Sequence, residues 1–440
     1  MGKKFFVMLG VVFFSLVLAA GDGPPQQLDL AAGNLYVPNR VVIKISTETT
    51  AIAGKAHRPE HLPSSRLMAK YPSRLTQIRS LPLTGYYMAE TVEGCDIEAL
   101  CRQLRREPYV ADASPDYYAV LTSTIPDDYY FQYQYSLNNT GQVYLPETGL
   151  TGTSGSDIKA VDGWDWTRGS DQVIIAIIDS GVATDHEDLR HKVVAGYDFV
   201  NDDGDAYDDH GHGTFAASIA AAETNNGVGI AGVSWQARIM PVKVMASTGF
   251  GSYLAIGTGM RYAVDHGARV LNLSVGGQIP SFILEDACEY AYNSGAVIVA
   301  AVGNTGSPVL YPAAYDDYCL AVAATDANDE RPIWSNWGPQ VDVAAPGSFV
   351  WGAAWSPEEP DNLNSYHWKS GTSFAAPYVA GAAALLIAYK PTLTNQQVMA
   401  LIKYTADDVN ASTYPGVDDY LGYGRINLKT LLGPYELGKQ

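Results

Sequence analysis

Only four cysteines occur in 440 residues: Cys95, Cys101, Cys288 and Cys319. So few thiols exclude a disulfide-dense scaffold, and no Cys/His cluster has the spacing of a zinc site. Pairing within each segment, 95 with 101 and 288 with 319, is open on sequence alone, as is the reading of all four as small buried apolar residues. Basic residues are scarce too: 28 Lys and Arg stand against 47 Asp and Glu, a net charge of −19. So acidic a chain repels nucleic acid and anionic membrane surfaces, and neither is expected as a partner. The imbalance is local. Residues 1–124 hold 13 basic and 11 acidic side chains, and residues 125–440 hold 15 and 36. Long apolar runs are missing beyond the N-terminus. The run over 5–20 follows Lys3 and Lys4 and ends in Ala19-Ala20-Gly21. It falls short of the roughly 20 residues that cross a bilayer and has the layout of a cleaved secretory leader. A leader at 1–21 is therefore expected, with an exported product (extracellular, periplasmic or cell-surface) that has no stable membrane insertion.

Apolar residues make up 47% of the chain and charged residues 17%, a globular composition long enough for more than one folding unit. After a spacer at 22–37, alternation predicts strands over 40–46 and 86–91, a helix over 96–106 with Ile97, Leu100, Cys101 and Leu104 on one face, and a closing strand over 117–121. This small α+β unit, 38–124, is marginal on its own. The proline-containing break at 122–128 is the kind of segment where nicking concentrates. Beyond it, β-branched runs at 173–178, 239–244, 270–275, 296–302 and 320–324 read as buried strands. Helical spacing falls at 212–222, 253–266, 283–293, 373–389 and 394–404. The alternation predicts an α/β fold over 125–433, a mostly parallel sheet with helices on both faces, followed by a short tail at 434–440. Sites in such sheets form at the carboxyl ends of the strands.

Three motifs lie at those ends. Ile177-Ile178-Asp179-Ser180-Gly181 places an acid at the end of a buried strand. His210-Gly211-His212-Gly213-Thr214 opens a helix with a Gly-flanked histidine. Gly371-Thr372-Ser373-Phe374-Ala375-Ala376-Pro377 puts a serine at the start of an Ala-rich helix. Singly, each has an ordinary explanation as a cap, a turn or a structural histidine. Together they supply nucleophile, general base and orienting acid. A serine hydroxyl attacks only when a base takes its proton, imidazole suits that task near neutral pH, and a carboxylate fixes its tautomer. In Ala300-Ala301-Val302-Gly303-Asn304 an amide follows a strand and a glycine, placed to donate to a developing oxyanion.

These residues resemble the subtilisin-like serine proteases, whose order Asp…His…Ser is the one that defines subtilisin. Supporting blocks are Asn272-Leu273-Ser274-Val275-Gly276-Gly277, Tyr311-Pro312-Ala313 and Asp342-Val343-Ala344-Ala345-Pro346-Gly347. The resemblance implies a triad of Asp179, His212 and Ser373, with Asn304 and the Ser373 amide as oxyanion donors. It implies a substrate cleft with Ser274, Val275, Gly276 and Gly277 on one side and the segment from Gly249 to Ser252, Gly251 among it, on the other, and with Leu310 near the base of the first specificity pocket. Apolar side chains before the scissile bond are then preferred. Phe374, Tyr378 and Phe215 depart from the residues usual there and are expected to pack beside the triad. Val41-Val42-Ile43-Lys44 and the stretch from Tyr109 to Tyr117 resemble the start and end of the family's propeptide, a folding aid and inhibitor, with processing expected between Tyr118 and Pro126. Partners are then protein or peptide substrates and the chain's own propeptide, around a monomer.

No cofactor is implied for the chemistry, and structural Ca²⁺ is implied at Asp128, Asp188, Thr224, Asn226, Val228 and Ile230. A second acidic set, Asp202, Asp203, Asp205 and Asp208, has calcium-loop spacing without the EF-hand register. The rival from another class is a catalytically silent binding protein that keeps the fold. An α/β-hydrolase esterase would need a Gly-x-Ser-x-Gly elbow, and a sedolisin-like acid peptidase a Glu base.

Overall fold

The chain divides into two units, residues 1–122 and 123–440. The computed structural model describes residues 15–18, 26–29, 36–46, 62–81, 85–117, 124–358 and 362–433. The leader, most of the spacer, the processing stretch and the tail lie largely outside them.

In the first unit a two-stranded pair, β1 (Ser15–Leu18) and β2 (Gln26–Asp29), precedes an antiparallel sheet. That sheet contains β3 (Tyr36–Ile45), β4 (Leu75–Ser80), β5 (Tyr86–Thr91) and β6 (Val110–Tyr117) in the order β4-β5-β3-β6. Among the described residues two helices accompany it, α1 (Leu62–Lys70) and α2 (Ile97–Leu104). The stripe Ile97, Leu100, Cys101 and Leu104 is buried, and Asp96 caps α2 by accepting from the Ala99 amide at 2.8 Å. The strand expected over 117–121 lies, but for Tyr117, outside the described residues, and the last strand described in this unit is Val110–Tyr117. Its sequence, VADASPDY, has little β propensity. Pairing with β3 (Ile43 opposite Ala113) makes it a strand, and Pro115 is tolerated because β6 is an edge.

The second unit is built on seven parallel strands: β9 (Ile174–Asp179), β10 (Tyr197–Asp198), β11 (Arg238–Lys243), β12 (Val270–Leu273), β13 (Val297–Ala301), β14 (Cys319–Thr325) and β15 (Val343–Pro346). The hairpin β7 (Val143–Leu145) with β8 (Leu150–Thr151) precedes them. Their order is β10-β11-β9-β12-β13-β14-β15. β9 is central and buried on both faces, with Ile175 and Ile177 in one core and Ala176 and Ile178 in the other. This is why its sequence is a continuous apolar run rather than an alternating one. The helices are α3 (Ala160–Trp164), α4 (His212–Ala221), α5 (Tyr253–Asp265), α6 (Phe282–Asn293), α7 (Thr372–Tyr389), α8 (Asn395–Tyr404) and α9 (Leu428–Leu432). A second antiparallel hairpin, β16 (Val350–Ala354) with β17 (Ser365–Lys369), leads into α7.

The sequence was expected to hold no second apolar stretch long enough to span a membrane. α7 corrects that: its 18 residues pass by length and composition. It is nevertheless 83% buried inside the unit, so its all-round apolarity is explained by a core position.

Candidate active site

The groups of the site leave the carboxyl ends of β9, β12 and β13 and the starts of α4 and α7. Asp179 is the last residue of β9 and is buried. The Ser180 amide donates to Asp179 Oδ1 at 2.8 Å, and the Ser180 hydroxyl donates to Asp208 at 2.8 Å. Asp208 also accepts from the amides of His210, Gly211 and Thr214 and from the Thr214 hydroxyl, at 2.6–3.0 Å. Five donors thus lock the turn that opens α4. Gly213 allows the turn to press against the end of β9, since a Cβ there would lie 2.2 Å from the Gly181 carbonyl oxygen. His212 Nδ1 then donates to Asp179 Oδ1 at 2.8 Å. That bond fixes the neutral tautomer in which Nε2 is the acceptor.

Ser373 lies in the first turn of α7. Pro377, four residues on, has no N–H for the Ser373 carbonyl. The Ser274 hydroxyl donates to that carbonyl instead, at 2.6 Å, while Ser373 Oγ donates to the Ser274 carbonyl at 3.1 Å. In this conformation the Ser373 hydroxyl proton is thus directed to the Ser274 carbonyl. Asn304 Oδ1 accepts from the Thr372 amide at 2.7 Å and from the Thr372 hydroxyl at 2.9 Å. With its oxygen so engaged, the amide nitrogen is the end left for an incoming group. The Ser373 N–H, an unfilled donor of the first helical turn, belongs to the same region.

A cleft of about 200 Å³ is lined by Asp179 and His212, with Ser274, Val275 and Gly276 along one wall. Among the described residues Val275 and Gly276 have no backbone hydrogen bond. Gly277 does not share that freedom: it exchanges both backbone bonds with Tyr311, at 2.8 and 2.9 Å. His210, Met245 and, from the expected segment 249–252, Gly249 also line the cleft, whereas Gly251 backs onto the Val244 carbonyl and Met245. His210 and Met245 were missed as cleft residues by sequence reasoning, for nothing in their spacing marks them. Leu310 packs on Gly303 and Gly276, where an added Cβ would meet it at 2.8 and 3.4 Å. The Phe374 ring stands 5.2 Å from the His212 ring and 4.7 Å from Phe215. Tyr378 departs from expectation, its hydroxyl pairing with Ser136 at 2.6 Å in the core.

Burial alone would raise the Asp179 carboxyl, but the charge and hydrogen bond of His212 outweigh it and hold the group below the usual carboxylate range. Burial alone would lower His212, and Asp179 outweighs that too, raising the imidazole. Asp179 therefore adds stability above its unfolded pKa, lost as pH falls through its lowered folded value. His212 adds stability below its unfolded pKa, lost as pH rises through its raised folded value.

The first acidic set is gathered in space. Asp188 Oδ2 accepts from the Ile230 amide at 2.9 Å and Oδ1 from Asn226 at 3.1 Å, while Asp128 accepts from the Asn225 amide at 2.8 Å. Burial raises both carboxyls, that of Asp188 to about 7. Among the described residues no salt bridge reaches either. Two buried carboxylates gathered by one loop, and without a cationic partner among those residues, are the kind of charge a hard divalent cation neutralises. Asn226 Oδ1 accepts from the Val228 amide at 3.0 Å and would have to turn to become a ligand. The second set is corrected. Asp208 gives its oxygens to the five donors named above, Asp202 accepts from Tyr197 at 2.9 Å, Asp203 from the Asp205 amide at 2.9 Å and Asp205 from the Tyr207 amide at 3.3 Å. Among the described residues no group of three or more His, Cys, Asp or Glu converges as a metal site.

Comparison with known proteins places residues 170–424 in a match to the model of the subtilase family. The chain is 40% identical over 333 residues to the thermophilic serine proteinase of Bacillus sp. (strain AK1), covering 76% of this chain and 75% of that protein. It is 42% identical over 271 residues to thermitase of Thermoactinomyces vulgaris, covering 61% and 91%. Among solved structures, a protease of Pseudoalteromonas arctica aligns with a TM-score of 0.59 at 28% identity, over 70% of this chain and 99% of that one.

Two outcomes follow from the geometry. Only neutral His212 can accept a proton, so kcat/KM rises with pH through an inflection above the ordinary imidazole value of about 6.5. A pH–rate profile with its acid limb below that value would contradict the Asp179–His212 pairing. Asn304→Leu keeps KM near its original value and lowers kcat by about 10²–10³, the loss established in this family for one oxyanion donor. Steady-state kinetics on a peptide substrate measures it, and an unchanged kcat removes Asn304 from the reaction.

Proposed function

The chain belongs to the subtilase family and is a serine-type endopeptidase, and from that premise we propose that it is exported, cuts off its own N-terminal unit, and hydrolyses peptide bonds through an acyl-enzyme on Ser373. His212 Nε2 takes the Ser373 proton as Oγ attacks the carbonyl carbon. Asp179 holds the tautomer and offsets the imidazolium charge. The oxyanion develops at the N-terminus of α7, where Asn304 Nδ2 and the Ser373 N–H donate to it. His212 returns the proton to the departing amine. Water, losing its proton to His212, then attacks the acyl carbon and frees Ser373. No cofactor enters these steps.

The observation that carries this reading is the 2.8 Å bond from His212 to Asp179, in a cleft whose wall includes Ser274, the partner of Ser373. An extended substrate pairs with the free backbone of Val275 and Gly276, and its side chain before the scissile bond meets Leu310, which favours apolar residues. Residues 38–124, close to neutral, act as folding aid and inhibitor of the strongly acidic unit that follows, and the mature enzyme is a monomer.

Calcium is proposed as a structural ion held by Asp128, Asp188, the carbonyls of Thr224, Val228 and Ile230, and a reoriented Asn226. When bound it neutralises two buried carboxylates. Calcium added to chelated Ser373→Ala protein then raises Tm, and more at pH about 8 than at about 6, because the proton on Asp188 must leave first. Asp188→Asn abolishes the gain. Thermal melts that ignore calcium and chelator alike remove the ion from this reading.

The catalytic reading is tested on the full chain and on Ser373→Ala, followed on gels with casein added afterwards. The wild type shortens by roughly the mass of residues 22–124 and digests casein, while the variant stays full length and inert. If the folded wild type, with calcium present, also stays intact and inert, the chain is a silent binding protein that keeps the fold.

A further inference from the structure

Two of the four cysteines meet. Cys288, in the middle of α6, and Cys319, the first residue of β14, are fully buried, and their Sγ atoms stand 3.9 Å apart. Cys95 and Cys101 belong to the other unit, the first half-buried and the second buried. The surroundings of the core pair are apolar, with Leu284, Ala287, Ala291 and Ala321 in the same cluster. Such a pocket suits neither a thiolate nor a metal.

We propose that Cys288 and Cys319 form a disulfide that closes while the chain folds, cross-linking the segment that carries Asn304 and Leu310. The sulfurs need to approach from 3.9 Å to about 2.05 Å, a change on the scale of a side-chain rotation. The backbone on either side is already tied. The Ser281 amide donates to the Tyr315 hydroxyl at 2.9 Å, that hydroxyl donates to the Ser281 carbonyl at 2.9 Å, and the Cys319 amide donates to the Tyr315 carbonyl at 3.1 Å. The closed loop contains β13, Asn304 and Leu310, so a restraint on its two ends acts on the oxyanion donor and on the pocket base.

Closure is an oxidation of two thiols to one disulfide, with loss of two protons and two electrons. The electrons pass to an external disulfide such as oxidised glutathione. One cysteine thiolate attacks it and releases a first thiol, and the second cysteine thiolate displaces the other thiol from the mixed disulfide. In the folded protein, burial raises the Cys319 thiol well above its ordinary range, and an interior thiol is inert toward such an oxidant. The reaction therefore belongs to folding, before α6 settles on β14. It rests neither on the catalytic reading nor, when run in a tube, on export.

The test uses full-length Ser373→Ala protein, which does not digest itself. One sample is refolded with oxidised glutathione. A second is refolded with reductant, freed of it, and given oxidised glutathione only after folding. The first is expected to lose two hydrogen masses, to yield a linked peptide joining Cys288 to Cys319, and to melt roughly 5–10 °C above the reduced form. The second keeps both core thiols. Cys288→Ala and Cys319→Ala each abolish the link and the melting difference, whereas Cys95→Ser with Cys101→Ala retains them. The proposal is overturned if protein refolded with oxidised glutathione shows both core thiols free to alkylation after unfolding, if either is linked to Cys95 or Cys101, or if closure proceeds equally well after folding.

Discussion

The site depends on a hydrogen bond that a proline makes possible. Within a helix the carbonyl of Ser373 would be taken by the amide four residues on, but Pro377 has none. The Ser274 hydroxyl takes the vacancy at 2.6 Å, and the Ser373 hydroxyl returns a bond to the Ser274 carbonyl. The start of α7 is thereby fastened to the strand end that lines the cleft. Proline inside a helix ordinarily costs stability. Here the loss of one internal bond couples the proposed nucleophile to the surface on which substrate would lie. α7 is long, apolar and enclosed by core on all sides, so its register is fixed by packing, and Ser373 inherits that precision.

The same economy governs the other half of the site. β9 ends in Asp179 with no room to spare, and the turn that delivers His212 is held by Asp208, a buried carboxylate served by five protein donors. A buried charge is stable only when its lone pairs are filled. Asp208 meets that condition with backbone amides from both sides of His212 and so converts a desolvation cost into a rigid turn. Lys243, also buried, plays a comparable part from β11. Its ammonium donates to the Ser180 carbonyl at 2.8 Å and pairs with Asp209 at 2.5 Å. Charges that look like a loose acidic run in the sequence are, in the fold, the frame around the imidazole.

That contrast shows which features were legible beforehand. Asp179, His212 and Ser373 drew notice because each sits where an apolar period starts or stops, and the structure hydrogen-bonds the first two to each other and the third to the cleft residue Ser274. The buried strands could be read because burial on both faces leaves uninterrupted β-branched runs. Asp208 was misread because Asp spacing is the same whether the oxygens face an ion or backbone amides. Met245 carries no periodic signal, and its place in the cleft follows from how β11 ends, whereas Gly249 belongs to a segment that the family resemblance had pointed to. β15 and the β16–β17 hairpin are four or five residues each, too short for a period to emerge, and β6 is a strand through its partner rather than its own propensity. Tyr378 adjoins the motif in sequence, yet its hydroxyl reaches Ser136 in the core.

The imidazole lies between opposing influences, and distance decides between them. Lys369 places its ammonium 5.0 Å from the Phe215 ring centre and 6.0 Å from that of Phe374, whose ring also faces His212. Burial lowers this lysine, and its charge disfavours a protonated His212. Asp179 acts in the other sense from 2.8 Å, in hydrogen-bond contact and out of water. Coulomb energy grows as separation and dielectric fall, so the carboxylate in hydrogen-bond contact outweighs the lysine, and the net displacement of His212 is upward. Phe215 and Phe374, two aromatic departures from the usual pattern, thus pack beside His212 with the Lys369 ammonium over their rings, and the lysine tempers the rise of the imidazole without reversing it.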